Sequence, residues 1–177
     1  MFHTSYFRDS YNDFKSALKS YDKNFNERLF LKAIEVAETS HKDQFRASGD
    51  PYIVHPYEVC KSLIDLKLDT ETVITGLLHD VIEDTSYSSE QLNKEFGSSI
   101  FNLVNGLTKI DFLEEKKITK SEKEAENFRK LLISTAKDIR VLIIKLADRL
   151  HNIKTIHFFK DVEKRKRVSN ETLLIYA

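Results

Sequence analysis

A chain of 177 residues is long enough to bury a sizeable core within one domain. Its 41% hydrophobic and 32% charged residues are the proportions of an ordinary soluble globular protein, and 28 basic against 28 acidic side chains leave no net charge. That balance excludes a general nucleic-acid binder, which needs a basic excess for phosphate, and a single cysteine, Cys60, excludes an internal disulfide.

The helical neighbours of Cys60, namely Val59, Leu63 and Ile64, mark its thiol as buried and inert. No apolar run approaches a membrane span, since "VLIIKLA" is broken by Lys145, and the N-terminal "MFHTSYFRDSYNDF" has no signal-peptide core. A cytoplasmic location, with no membrane or direct nucleic-acid partner, is expected.

In chain order, residues 1–25 read as an N-terminal helical extension and 26–177 as the principal domain. The first strong helix runs from Asn26 to about Phe45, with Leu29, Phe30, Ala33, Ile34 and Ala37 at helical spacing. His41 falls on that same core-facing line. The loop "RASGDPYIVHP" follows, and Pro56 suits a first helical position, placing His55 at the cap of a helix to Leu66. A third helix from Thr70 or Glu71 carries "GLLHDVIEDT". Ser88 with Gln91 makes a capping box for a helix ending at Gly97, and a further short helix spans Ser98 to Asn105. "GLTKIDFLEEKKITK" is the least regular stretch. Ser121 with Glu124 is a second capping box, for a helix to Ala136, and Asp138 caps a long helix from Ile139 to about Lys160. The tail "EKRKRVSNETLLIYA" begins another helix, and its basic run reads as solvated. With two prolines, both before residue 57, and no strand signal, the expected fold is all-α.

The chemistry concentrates in "GLLHDVIEDT". On a helical wheel His79, Asp80, Glu83 and Asp84 fall within an arc of about 140°, opposite Leu77, Leu78, Val81 and Ile82. Thr72 and Gly76 make a small floor beneath that arc. Asp80 and Asp84 are a like-charged i,i+4 pair with no lysine or arginine in the stretch, so the cluster is either a solvated face or a cation site. "KLADRLHNIKT" aligns Lys145, Asp148, Asn152 and Thr155 opposite an apolar face of Leu142, Ile143, Leu146, Ala147 and Leu150. His55, at a helix N-terminus, is favoured as the neutral, metal-binding imidazole. Together His55, His79, Asp80 and Asp148 form a two-imidazole, two-carboxylate set drawn from three helices, suited to manganese, iron or zinc. His3, His151 and His157 read as structural or exposed. Tyr52 is the aromatic expected to stack on a base.

The segments "HKDQFRASGDPYIVHP", "LLHDVIEDT", "GLTK", "ENFRKLLISTAKDIRV" and "IKLADRLHNIKT" together resemble the hydrolase domain of the RelA/SpoT-homologue family. The resemblance runs from about Asn26 to Ala177. It implies an HD-domain helical bundle that removes the 3′-pyrophosphate of the alarmone (p)ppGpp, giving GDP or GTP and pyrophosphate. It implies His55, His79, Asp80 and Asp148 as ligands of one Mn²⁺, and Glu83 with Asp84 as the pair acting on the attacking water. It also implies Arg46 and Ser48 at the guanosine end, and Asn152 and Thr155 on the nucleotide. Arg46, Lys145, Lys109 and Lys154 would offset the charge of the substrate. Ala47 and Lys154 depart from the family pattern, where lysine and arginine are common; both departures bear on affinity. The segment near Ala177 resembles the approach to a synthetase domain, so synthetase and regulatory domains of a longer chain are expected neighbours. The alternatives are an HD phosphohydrolase for another nucleotide, or a non-catalytic nucleotide-binding regulatory domain.

Overall fold

The computed structural model describes residues 5–108 and 120–176, with side chains described for 9–108 and 125–173. Most of the stretch expected to be irregular, with Lys109, lies outside the described residues, as do the side chains of Ser121 and Glu124.

Helices α1 (Ser5–Tyr21), α2 (Glu27–Ser40), α3 (Val54–Asp65), α4 (Thr70–Leu78), α5 (Val81–Asp84) and α6 (Ser89–Leu107) lead to α7 (Lys120–Lys137), α8 (Arg140–Lys154) and α9 (Val162–Tyr176). Among the described residues the one β feature is a bridge between Phe45 and Pro51, so the expected all-α class holds. No described helix is long and apolar enough to cross a membrane.

Short polar side chains start several of these helices. Asn26 accepts from the Leu29 N–H at 3.0 Å and opens α2, and Asp69 accepts from the Thr72 N–H at 3.0 Å and opens α4. Ser88 and Gln91 complete the expected reciprocal box. The expected division at Gly97 is a kink within α6, where the glycine takes φ +82°, a conformation costly for any residue with a Cβ. At α8 the carboxylate of Asp138 accepts from the Arg140 N–H at 3.0 Å.

Four helix boundaries differ from expectation. α2 stops at Ser40 with His41 as its C-cap, so Phe45 leaves the core line and is 68% exposed, whereas His41 stays buried. α3 begins at Val54 rather than Pro56, which places His55 inside the first turn. α8 ends at Lys154, and a 3-10 turn, Ile156–Phe158, precedes α9. The fourth is the break between α4 and α5 at His79–Asp80.

The core gathers around α4, of whose nine residues all but Glu71 are buried. α3 lies on one side of it, α2 and α6 on others, with α8 closing the bundle. α1 joins this core through Tyr11, Phe14 and Leu18, with Phe14 tilted on Tyr57 at 5.7 Å. Asp22, just beyond α1, accepts the Thr70 N–H at 2.8 Å and so holds the start of α4. Cys60 is buried, as expected.

Gly76 does not floor an open site. A Cβ there would lie 2.5 Å from Leu63 Cδ1 and 3.3 Å from Val59 Cγ1, so its hydrogen lets α3 and α4 approach. We therefore expect Gly76→Ala to destabilise the fold by roughly 1–3 kcal/mol through overpacking, read as a lower midpoint in urea unfolding. An unchanged midpoint would show that Leu63 swings aside at no cost.

Candidate metal centre and nucleotide cavity

The site is built where α3, the α4–α5 break and α8 meet. His55 comes from α3, His79 and Asp80 from the break, and Asp148 from α8. His79 and Asp80 keep near-helical backbone angles, φ −60° and −100°. In a continuous helix the Gly76 carbonyl would accept the Asp80 N–H. Here the His79 ring lies 2.8 Å from that carbonyl through Nδ1. A carbonyl only accepts, so Nδ1 carries the proton and Nε2 turns into the site.

His79 Nε2 is buried and makes no directed hydrogen bond, although Asp80 Oδ2 lies 3.0 Å away. His55 Nε2 stands 3.2 Å from Asp148 Oδ1 and 3.7 Å from Asp80 Oδ2, and His79 Nε2 is 3.9 Å from Asp148 Oδ1. Donor atoms sharing one ion at metal–ligand distances of about 2.0–2.2 Å are themselves roughly 3–3.5 Å apart. Two of these separations, 3.0 and 3.2 Å, lie in that range, and two, 3.7 and 3.9 Å, lie just above it. His55, His79 and Asp80 have ligand atoms within 4.8 Å of one another, with Asp148 facing them. An orphaned imidazole nitrogen among carboxylates is the environment a divalent cation completes, and the residues fit one.

The electrostatics agree. Burial favours the neutral form of His79, but the adjoining Asp80 and then Asp148 outweigh it and raise the imidazole to about 9. Burial keeps His55 below its ordinary value despite Asp148. Asp148 opposes its own desolvation with the Lys145 ammonium at 3.0 Å and with His55, and is held well below the usual carboxylate range. Without a cation the cluster therefore favours a proton on His79, which a bound ion would have to displace.

A cavity of about 600 Å³ opens above these groups. Arg46, Tyr52, Glu83, Asp84, Lys145 and Asn152 line it, together with His55, Asp80 and Asp148. Ser48, Lys154 and Thr155 do not. Ser48 donates to Asp50 Oδ2 at 2.7 Å within its own turn, and Lys154 is exposed. Thr155 acts one step back: its hydroxyl accepts from Arg46 Nη2 at 3.1 Å, beside Asn152 Oδ1 at 3.0 Å. The Arg46 loop is tied by the Phe45–Pro51 bridge and by Gly49 at φ +93°.

Tyr52 is engaged differently from expectation. Its ring stacks on His41 at 4.6 Å and carries the Arg46 guanidinium 5.7 Å from its centre. Its hydroxyl lies 2.6 Å from Asp80 Oδ2 and 3.0 Å from Asp84 Oδ2. One proton thus serves two carboxylates, and burial with both anions pushes the phenol far above its ordinary value. Asp84 is also tethered through its carbonyl, which accepts from Gln44 Nε2 at 2.6 Å.

The core face expected for α8 holds only in part: Ala147 is buried and Ile143 packs against the core, but the burial extends onto the polar arc. Val141, Ile144, Ala147, Asp148 and His151 are buried, while Leu150 is 43% exposed. The polar arc turns inward because α3 and α4 pack against it. His151, expected to be structural or exposed, is buried with Nδ1 2.7 Å from His55 Nδ1; burial, then His55 and Arg46, lower it to about 4. Its i+3 spacing from Asp148 was the available signal. Arg149, Phe159, Lys164, Arg167 and Glu171 were also missed and line the cavity from α8 and α9. Two residues of the supposedly solvated basic run therefore face the site.

Comparison with known proteins bears on this geometry. Residues 33–177 match the HD domain family. A guanosine-3′,5′-bis(diphosphate) 3′-pyrophosphohydrolase of Haemophilus influenzae is 48% identical over 142 residues, 80% of this chain and 20% of that protein. A GTP pyrophosphokinase of Myxococcus xanthus is 44% identical over 174 residues, 98% of this chain and 23% of that protein. The chain spans about a fifth of the length of these curated relatives. A solved structure described as a metazoan ortholog of SpoT that hydrolyzes ppGpp superposes with a TM-score of 0.69 at 27% identity, covering 86% of this chain and 85% of that one. The chain belongs to the HD domain family, among the RelA/SpoT homologues that its motifs resemble.

Proposed function

We propose that this chain hydrolyses the 3′-pyrophosphate of (p)ppGpp to GDP or GTP and pyrophosphate, with one Mn²⁺ held by His55, His79, Asp80 and Asp148. The observation that carries the reading is the convergence of those four side chains, with an orphaned buried nitrogen, at the base of a cavity with two distinct walls. The acidic wall is Glu83 and Asp84. The basic wall is Arg46, Lys145 and Arg149, joined by Lys164 and Arg167 from α9. A polyphosphate needs the second and a water nucleophile needs the first.

When bound, the divalent cation supplies Lewis acidity toward water and charge neutralisation at the phosphoryl oxygens. The chain's own groups do the rest. Glu83 takes the proton of the attacking water, and Asp84, fixed by Tyr52 and by Gln44, orients it. The new bond forms between water oxygen and the 3′-bound phosphorus. The bond from that phosphorus to the ribose 3′-oxygen breaks, and the released oxygen takes up a proton from solvent. Lys145 stands within reach of both Asp148 and the cavity, placed to offset charge on the oxygens of the attacked phosphoryl group. Arg46, clamped between Asn152 and Thr155, presents a fixed fork to the nucleotide.

Relatives named as GTP pyrophosphokinases raise a second reading, a regulatory domain that binds nucleotide without cleaving it. The complete acidic and imidazole set favours hydrolysis, because binding alone does not require Glu83 and Asp84 beside a cation site.

Four sets of measurements test the proposal. Chelation should abolish release of pyrophosphate from ppGpp, and added Mn²⁺ should restore it; Asp80→Ala should remove both bound metal and turnover. GTP and 2′,3′-cyclic nucleotides assayed alongside should turn over far more slowly, and a preference for either would redirect the substrate assignment. Glu83→Gln should lower kcat about 10²–10⁴-fold with metal content retained, and unchanged kcat would remove it as the base. Arg46→Lys should raise KM roughly tenfold or more while leaving kcat nearly intact, since a single ammonium cannot replace the fork.

A further inference from the structure

We infer that His151 is a positioning residue that sets the tautomer of His55, so that His55 presents a bare Nε2 to a cation; the inference rests on the metal reading proposed above. The two site imidazoles are held by different means. His79 Nδ1 faces a backbone carbonyl, Gly76, at 2.8 Å, a partner that no side-chain substitution removes. His55 Nδ1 faces another imidazole, His151 Nδ1, at 2.7 Å, with ring centroids 5.0 Å apart and 25° between planes, so the two rings meet edge to edge. Metal-binding histidines usually direct their second nitrogen to a carboxylate, carbonyl or water. A histidine in that place is different in kind, because an imidazole nitrogen either donates or accepts.

Two nitrogens at 2.7 Å share one proton, so two arrangements exist. In one, His151 donates, His55 carries its proton on Nε2, and that N–H points at Asp148 Oδ1, 3.2 Å away. In the other, His55 donates through Nδ1, His151 accepts, and Nε2 of His55 is free for a cation. A ligand nitrogen cannot keep its hydrogen, so cation binding requires the second arrangement. His151 must then be neutral, with its proton on Nε2. The pair lets the site exchange a hydrogen bond to Asp148 for a metal bond without leaving a buried nitrogen unpaired. His151 is held in register for this by α8 itself: its carbonyl accepts the Thr155 N–H at 3.1 Å and hydroxyl at 3.0 Å, and Thr155 in turn receives Arg46.

The test uses the purified chain stripped of metal. Calorimetric titration with Mn²⁺ should show His151→Leu, which has no acceptor, binding about 10–100-fold more weakly than wild type. His151→Asn places a carbonyl oxygen near the position of Nδ1 and should recover most of that loss. Leu binding as tightly as wild type, or Asn binding as weakly as Leu, would overturn the inference. Histidine ¹⁵N spectra of the wild-type chain loaded with diamagnetic Zn²⁺ give an answer that depends on no variant folding. They should show His55 protonated on Nδ1 and His151 on Nε2, and a proton on His151 Nδ1 would overturn it. Failure of the wild-type chain to bind Mn²⁺ at all would instead remove the reading of the site, and this inference with it.

Discussion

Two buried imidazoles facing two carboxylates are the constraint on which the rest of this structure depends. His55 and His79 are each almost wholly buried, and Asp148 is nearly so. Taking such groups out of water costs several kcal/mol per charge unless partners satisfy them. Lys145, Asn152 and His55 satisfy Asp148, and Tyr52 and His79 serve Asp80. Of these groups, His79 Nε2 meets Asp80 only as an ion pair at 3.0 Å and makes no directed hydrogen bond.

The scaffold answers to that need. Three segments, α3, the α4–α5 break and α8, meet within a few ångströms, so the helices that carry them are packed with little freedom. α4 is buried almost throughout, and α3 is drawn against it at Gly76, where even a methyl group would collide with Leu63. The hydrogen bond of His79 to the Gly76 carbonyl couples this helix contact to the orientation of a site ring. Asp22 and Asp69 fix the other end of α4 through Thr70 and Thr72. Precision at the site therefore derives from close packing one and two turns away.

The outer walls are arranged with more latitude. The Arg46 loop reaches α8 across 106 and 109 residues of sequence to meet Asn152 and Thr155, and the Tyr52 ring between His41 and Arg46 links that loop to the acidic pair. α9 adds Lys164 and Arg167, with Arg149 bound to Glu171 at 2.7 Å across the α8–α9 seam. The cavity wall is thus shared by elements far apart in the chain, while His55, His79, Asp80 and Asp148 meet where α3, the α4–α5 break and α8 converge.

Much of this was legible from residue order. Helical periodicity gave the all-α class, Asn26 and the Ser88–Gln91 box marked true helix starts, and Gly97 marked a true kink, because each of these depends on residues within one turn of one another. That His55, His79, Asp80 and Asp148 form one chemical set was also readable from side-chain type, and the structure brings the four together. Only the tertiary structure decided which helix faces turn inward. The wheel for α8 placed its leucines in the core, yet Asp148 and His151 are buried and Leu150 is not, because α3 and α4 pack against the polar arc. The same holds for His151 beneath His55, for Phe45 outside the core, and for the basic run of α9 over the cavity. Local sequence specifies caps and periodicity through neighbours a few residues apart; burial and pairing are set by residues about a hundred positions away, which no local pattern encodes.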